Sequence, residues 1–147
     1  MTTLIWPVKE SFLRYISSVG GVLWVGEGAW VTDDGFAFLG ATDAGSGVMQ
    51  FRGALVFDAH AGALHVEMKD PTLEPAMGSW SVWTGTDENP ASRVLFAEAT
   101  ESSRAADAVT LVVRLTAAGS RLFGGNYPQS AELDPLIVES ADRTPPG

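Results

Sequence analysis

The fold is indicated most clearly by residues 48–68, which read VMQFRGALVFDAHAGALHVEM. Apolar and polar side chains alternate in residues 48–57 and again in residues 63–68, the period of two that is typical of a β-strand with one buried face. The loop between them is short and ends at Gly62, and glycine is favoured in such hairpin connections. This stretch therefore predicts two antiparallel strands joined by a hairpin.

The rest of the chain repeats the strand pattern. Further strands are predicted at residues 22–31, 36–39, 80–84, 93–99, 109–115 and 133–138. Residues 100–107 are polar and predict a solvated connection. Residues 1–139 form a single domain in this interpretation, and residues 140–147 predict a disordered tail. We expect a mainly-β (α+β) fold, either an antiparallel β-sandwich or a curled sheet, with an N-terminal helix and a short second helix.

The N-terminal helix is predicted from residues 6–16, which read WPVKESFLRYI. Pro7 suits the first turn of a helix, and Gly20 and Gly21 suit its end. Helical spacing places one apolar stripe on a single face: Val8, Phe12, Tyr15, Ile16 and Val19. The second helix is predicted at residues 116–123, with Thr116 as its cap and two glycines after it.

Composition excludes several classes of function. The chain has 147 residues, a formal net charge of -9 and no cysteine. An acidic protein without a basic patch is a poor nucleic-acid binder, and the lack of cysteine excludes disulfides and thiolate metal sites. No stretch of about twenty apolar residues predicts a membrane span. The N-terminus lacks the pattern of a secretory signal. As written, the sequence predicts a cytoplasmic protein, and a processed or excised form would be extracytoplasmic.

Tyr15 allows two interpretations. A phenol on the apolar face of a helix is either a core residue with a hydrogen-bonded hydroxyl or a ligand that faces a pocket. Ser11 lies one turn earlier, so a hydroxyl and a phenol share one edge of this face. The residues alone leave both interpretations open.

Other candidates for chemistry are equally open. His60, at the hairpin tip, is either an exposed turn residue or a functional one, whereas His65 beside Glu67 is interpreted as a solvated strand residue. No cluster has the ligand spacing of a zinc site. The five tryptophans either pack the core or line a ligand slot or sugar platform: Trp6, Trp24, Trp30, Trp80 and Trp83.

Three groups of residues resemble the HtaA-type haem-binding domain family, which is found in haem-uptake proteins of some Gram-positive bacteria. The opening signature is matched by Trp6, Val8, Lys9, Ser11, Phe12 and Tyr15. A pattern G-x-L/V-x-F-x-x-H-x-G-x-L is matched by Gly53, Leu55, Phe57, His60, Gly62 and Leu64. The closing segment is matched by Leu115, Thr116, Gly119, Phe123, Tyr127, Leu133, Asp134 and Pro135. Their order and spacing hold over nearly the whole chain. The family's domains are usually exported or surface-anchored, whereas no secretory signal is predicted from this sequence.

The resemblance implies that Tyr15 is the axial ligand to haem iron and that His60 hydrogen bonds to its phenol oxygen. It also implies that Ser11 and Tyr127 border the pocket near the propionates. The chemistry fits, because tyrosine is a known haem ligand and a phenolate oxygen is a hard donor that favours ferric iron. A free phenol, with a pKa of about 10, is protonated at neutral pH. Iron coordination and a donated hydrogen bond both favour its charged form.

We therefore expect a non-enzymatic domain that binds ferric haem b for haem transfer, storage or acquisition. Phe12, Trp24 and Phe57 are candidate pocket walls, chosen because they lie near the motif residues in sequence, and Arg14 is a candidate propionate partner. The alternatives are a haem-dependent enzyme, such as a peroxidase or haem-degrading activity, and a tryptophan-lined carbohydrate or lipid module. Expected partners are haem and another haem-carrying protein, and self-association is left open.

Overall fold

The computed structural model describes residues 2–85, 93–140 and 145. Eleven strands lie within them: β1 (Thr2–Trp6), β2 (Val22–Gly26), β3 (Trp30–Thr32), β4 (Gly35–Thr42), β5 (Met49–Arg52), β6 (Ala54–Ala59), β7 (Leu64–Ala76), β8 (Ser79–Gly85), β9 (Arg93–Arg104), β10 (Ala108–Leu115) and β11 (Glu132–Glu139). Two α-helices, α1 (Glu10–Ser18) and α2 (Ala117–Leu122), and one 3₁₀ turn (His60–Gly62) complete this part of the chain. None of these helices has the length and apolar character needed to cross a membrane.

The strands form one antiparallel sheet that closes on itself. Eight of them follow the order β7-β5-β4-β1-β11-β10-β9-β8, and β8 pairs back onto β7 to complete the ring. β6 and β2 extend the sheet from β7, and β3 pairs with β4. The mainly-β class with two short helices is confirmed. The closed, barrel-like sheet agrees with the curled alternative, and the predicted sandwich is not confirmed.

β1 is a central strand that the sequence pattern did not predict. It pairs with β4 on one side and with β11 on the other. Leu4, Ile5 and Trp6 are all buried, so neighbouring side chains are covered on both faces of the sheet. A strand buried on both faces has no apolar–polar alternation, which is why the period of two is absent here.

The predicted strand at residues 48–57 is divided at Gly53 into β5 and β6. Gly53 has φ +147°, and a Cβ there would lie 2.5 Å from the Cβ of Ala29. Only glycine fits this bend. The predicted strand at residues 22–31 is likewise divided into β2 and β3.

The prediction that residues 100–107 form a connection was wrong for most of that stretch. β9 continues to Arg104, which pairs with Val109 of β10. The ladder uses backbone groups, so it extends through polar residues that are exposed to solvent. The predicted tail is described only at Ser140 and Pro145, and the rest of that prediction lies outside the described residues.

The predicted start of the first helix was also wrong, because α1 begins at Glu10 and not at Pro7. Val8 has φ +64°, outside the helical region, and Lys9 is extended. The predicted end is confirmed: Gly20 has φ +69°, and the N–H of Gly21 donates to the carbonyl of Ile16 at 2.8 Å. This is the Schellman arrangement that glycine favours.

The second helix agrees with its predicted cap. The side-chain oxygen of Thr116 accepts a hydrogen bond from the N–H of Gly119 at 3.0 Å, which satisfies one of the free donors at the start of α2. Gly124 and Gly125 follow the helix with φ of +69° and +75°. The chain then turns towards Tyr127 and β11.

Candidate functional site

The position of α1 is fixed from the far end of the chain by Asp134. Its carboxylate oxygen Oδ2 accepts a hydrogen bond from the N–H of Glu10 at 2.8 Å. Its own N–H donates to the carbonyl of Val8 at 3.0 Å, and its carbonyl accepts from Trp6 Nε1 at 2.7 Å. A carboxylate at a helix N-terminus satisfies a free donor and also interacts favourably with the helix dipole. Asp134 therefore holds the helix that carries Tyr15 against β11.

Lys9 makes a second link at the same helix end. Its Nζ donates to the carbonyl of Glu132 at 3.1 Å and lies 5.9 Å from the centroid of the Tyr127 ring. Tyr127 is half-buried, and its backbone carbonyl accepts a hydrogen bond from Ser120 Oγ at 2.6 Å. These contacts place the Tyr127 loop beside the first turn of α1.

An aromatic cluster packs against the buried side of α1. Phe12 is 1% exposed and packs edge-on against Phe57, Phe123 and Tyr127, with ring centroids 5.2, 5.4 and 6.1 Å away. Edge-to-face packing at these separations is favourable beyond the area that it buries. Phe12 and Phe57 are thus core residues beneath the helix and do not line its exposed side.

The turn after β6 presents His60 towards this helix. His60 and Ala61 have φ of +54° and +55°, and Gly62 follows with φ +90°. Left-handed conformations are unfavourable for residues other than glycine, by about 1–2 kcal/mol each. Two such residues in succession make a tight bend, and the imidazole projects from its first position.

Tyr15 and His60 meet in a short hydrogen bond. The phenol oxygen lies 2.6 Å from His60 Nε2, although the two residues are 45 positions apart in the chain. A neutral phenol donates its O–H to an unprotonated Nε2, whereas a phenolate accepts a hydrogen bond from Nε2–H. The contact is therefore compatible with either form of the phenol. Both residues are exposed, and Tyr15 keeps 44% of its surface accessible.

Exposed side chains of α1 and β2 lie on the same side as the phenol. Ser11 and Val19 lie one turn before and one turn after Tyr15 on the same side of α1. Leu23 of β2 is paired with Phe57, so its side chain lies on the sheet face that α1 covers. Val19 and Leu23 are exposed by 36% and 39%. We call Ser11, Tyr15, Val19, Leu23 and His60 the Tyr15 shelf.

Two other candidate residues, Trp24 and Arg14, are not part of the Tyr15 shelf. Trp24 pairs with Val56 on the opposite face of β2, and its ring lies over Gly26. The structure therefore does not bring Trp24 to the shelf. Arg14 is exposed beside Tyr15 on α1 and has no hydrogen bond or ion pair with a described residue.

His65 belongs to a separate charged cluster on that opposite face. Its Nε2 lies 2.5 Å from Glu67 and its Nδ1 lies 2.6 Å from Asp58. Hydrogen bonds to Glu67 and then to Asp58 raise the pKa of His65 to about 9. His65 is an exposed residue of β7, in agreement with its interpretation as a solvated strand residue, and the raised pKa favours its charged form at neutral pH. Across the described residues no cluster of three or more His, Asp or Glu side chains could hold a metal ion.

Comparison with known families identifies the fold. The model of the HtaA family, described as Htaa, matches residues 1–139. The chain belongs to the HtaA family. The resemblance inferred from its motifs is thus confirmed.

Solved HtaA-type structures share the fold at low sequence identity. The N-terminal domain of HtaA from Corynebacterium glutamicum is 23% identical, with a TM-score of 0.77 and coverage of 97% of each chain. The C-terminal domain of the same protein is 22% identical, with a TM-score of 0.76 and coverage of 93% of each chain. The haem-binding protein HtaB from this organism is 18% identical, with a TM-score of 0.76, over 94% of this chain and 92% of HtaB. No curated protein matches this chain.

The residues that position the site were only partly recognised from sequence. Lys9 and Asp134 lie in the HtaA motif, but the motif gives them no role. Aspartate is preferred at the N-cap of a helix, but the N-cap of α1 is Lys9, and Asp134 lies 124 residues after Glu10, so this preference gave no signal. Only the folded sheet brings the two together.

Proposed function

We propose that this HtaA domain binds ferric haem b without catalysis, with the Tyr15 phenolate as axial ligand and His60 as the hydrogen-bond donor to that oxygen. The observation that carries the proposal is the 2.6 Å contact between the two side chains on an exposed surface. A tyrosine packed into the core could not offer its oxygen to a ligand. Here the phenol is accessible and has an imidazole positioned to stabilise its charge.

The Tyr15 shelf supports a flat apolar ligand. Val19 and Leu23 expose apolar side chains beside the phenol. Gly62 and Gly125 have no side chain, and the space where a Cβ would lie is open at both positions. When bound, ferric haem would supply a Lewis-acidic iron that the phenolate oxygen could hold. Ser11, Arg14 and Tyr127 remain the proposed partners for the propionates, because their polar groups are uncommitted among the described residues.

An exposed binding site favours transfer of haem over haem-dependent catalysis. The phenol and imidazole are both exposed, so a second haem-carrying protein could approach the ligand directly. Catalysis with peroxide would require an acid–base pair on the other side of the iron. The related HtaB is named as a haem-binding protein, which supports the same class of function here. Self-association stays a prediction.

Titration with haemin tests this function, with Soret absorbance as the readout. The parent chain should bind one haemin and show the charge-transfer bands of a ferric phenolate complex. Tyr15→Phe removes only the oxygen and should abolish those bands. Tyr127→Phe is the matched control, since it removes the only other phenol oxygen in the chain and should leave the bands in place.

The two histidines give a second matched pair. His60→Ala should weaken haemin binding about 10- to 100-fold, the usual effect of losing a hydrogen-bonding partner of a metal ligand. His65→Ala, which changes the only other histidine, should bind like the parent. If Tyr15→Phe and His60→Ala both bind like the parent, the assigned site is wrong. Rapid turnover of peroxide by the haemin complex would instead favour the enzyme alternative.

A further inference from the structure

A groove distant from the Tyr15 shelf lies on the outer face of β4, β5, β7 and β8. Its volume is about 1060 Å³, near the upper end of the range of small-molecule sites. Gln50 and Arg52 line it and are exposed, while the alternate residue Met49 is buried on the core side. None of its described lining residues belongs to α1 or to the 60–62 turn.

The groove is formed by a fixed corner in the sheet. At Gly53 and Asp70 both neighbouring strands bend, with φ of +147° and +48°. The N–H of Gly53 donates to Asp70 Oδ1 at 3.0 Å, and the N–H of Asp70 donates to the carbonyl of Gly53 at 2.8 Å. Arg93 Nη2 donates to the carbonyl of Asp70 and, at 2.7 Å, to Thr72 Oγ1. The corner is thus held by internal bonds before any ligand arrives.

Several polar side chains on the groove wall are not used by these bonds. Gln50, Arg52 and Glu74 are exposed and have no hydrogen bond or ion pair with another described residue. An amide, a guanidinium and a carboxylate together offer donors and acceptors in planar arrays. Trp83 is half-buried in the same wall and adds an indole surface. The free groups and an aromatic side chain therefore line the same groove.

These groups exclude several classes of ligand. The groove is lined by three acidic residues (Asp43, Asp70 and Glu74) and two basic ones (Arg52 and Arg93), so its charges nearly balance and favour neither anions nor cations strongly. The described lining residues include no histidine, tyrosine or methionine, so the groove offers no usual ligand for a second haem iron.

A polyhydroxylated ring fits the remaining features. Its hydroxyl groups both donate and accept, which matches the mixed groups of Gln50, Arg52 and Glu74, and its C–H face can pack on an indole. A second concavity of about 540 Å³ shares Arg52 and Asp70 with the groove. The two concavities therefore adjoin at these two residues. We propose that this groove binds a neutral oligosaccharide, independently of the Tyr15 shelf.

Isothermal titration calorimetry with maltohexaose, cellohexaose and chitohexaose tests the proposal on the whole chain. At least one of these hexasaccharides should bind with a Kd below about 1 mM. Gln50→Ala and Glu74→Ala, both at exposed positions, should each weaken that binding about 3- to 10-fold, as expected for one lost hydrogen bond. Trp83→Ala should weaken it further. Trp24→Ala is the matched control, because it removes an exposed indole from a different strand and should have no effect.

Haemin titration of the same variants separates the two sites. Gln50→Ala and Glu74→Ala should bind haemin like the parent, which also shows that they are folded. The proposal is overturned if none of the three hexasaccharides binds in this range. It is equally overturned if one binds and the double variant Q50A/E74A retains the parent affinity, because the binding surface would then lie elsewhere.

Discussion

Replacement of Asp134 by alanine should loosen α1 and with it the haem ligand. The carboxylate accepts a 2.8 Å hydrogen bond from Glu10 N–H at the start of the helix. Loss of a helix cap destabilises by about 1 kcal/mol, and loss of a negative charge at the helix N-terminus adds about 0.3–1 kcal/mol. We therefore expect Asp134→Ala to lower the free energy of unfolding by about 1–2 kcal/mol. The melting temperature should fall by about 2–4 °C for each kcal/mol in a domain of this size.

Urea unfolding followed by tryptophan fluorescence measures this change. Asp134→Asn retains an acceptor oxygen without the charge, so it should lose less than Asp134→Ala. Asp33→Ala, in the exposed turn between β3 and β4, is the control and should stay within about 0.5 kcal/mol of the parent. Haemin affinity should fall in the order parent, Asn variant, Ala variant, because α1 carries Tyr15. If Asp134→Ala unfolds at the same urea concentration as Asp33→Ala, the carboxylate does not anchor the helix.

Three further changes follow from the structure. The pKa of His65 is raised above its usual 6.5 to about 9. Protonated His65 therefore stabilises the folded chain fully below about pH 6.5, and this contribution is lost as the pH rises through about 9. Its side chain is 42% exposed, which limits the effect to about 1 kcal/mol; urea unfolding should show this loss in the parent and not in His65→Ala. Phe12→Ala should lower the free energy of unfolding by about 3–5 kcal/mol, because it empties the centre of an aromatic cluster; a loss below about 1 kcal/mol would contradict that role. Gly53→Ala should lower the free energy of unfolding by at least about 2 kcal/mol, because the positive φ is strained for alanine and the new Cβ would clash with Ala29. An unchanged melting temperature would show that the bend tolerates a side chain.

Sequence patterns predicted most strands and both helices but not how the sheet closes. Alternation of apolar and polar residues shows that a strand has one buried face, and a sandwich and a closed sheet produce the same alternation. Closure depends on the pairing of β7 with both β5 and β8. It also requires the pairing of β1 with β11, in which Thr3 lies opposite Glu139, and this involves backbone groups far apart in the chain. β1 was missed because its two buried faces remove the alternation altogether.

The candidate site was predicted from a family motif and not from spacing. Helical periodicity placed Tyr15 on a helix face but could not decide whether its oxygen was buried. The approach of His60 depends on left-handed conformations at His60 and Ala61, and neither residue type indicates such a conformation. Trp24 was chosen for its nearness in sequence, yet the register of β2 with β6 places it on the opposite face. Residues adjacent in sequence on a strand point to opposite sides, so nearness alone is a poor guide.

Resonance Raman spectroscopy of the ferric haemin complex tests the iron ligand most directly. The parent chain and Tyr127→Phe should both show vibrations of a phenolate bound to iron, and Tyr15→Phe should lack them. His60→Ala should retain these vibrations with a shifted frequency, because the hydrogen bond to the phenolate oxygen is lost. Identical phenolate vibrations in Tyr15→Phe and the parent, or none in the parent, would contradict ligation by Tyr15.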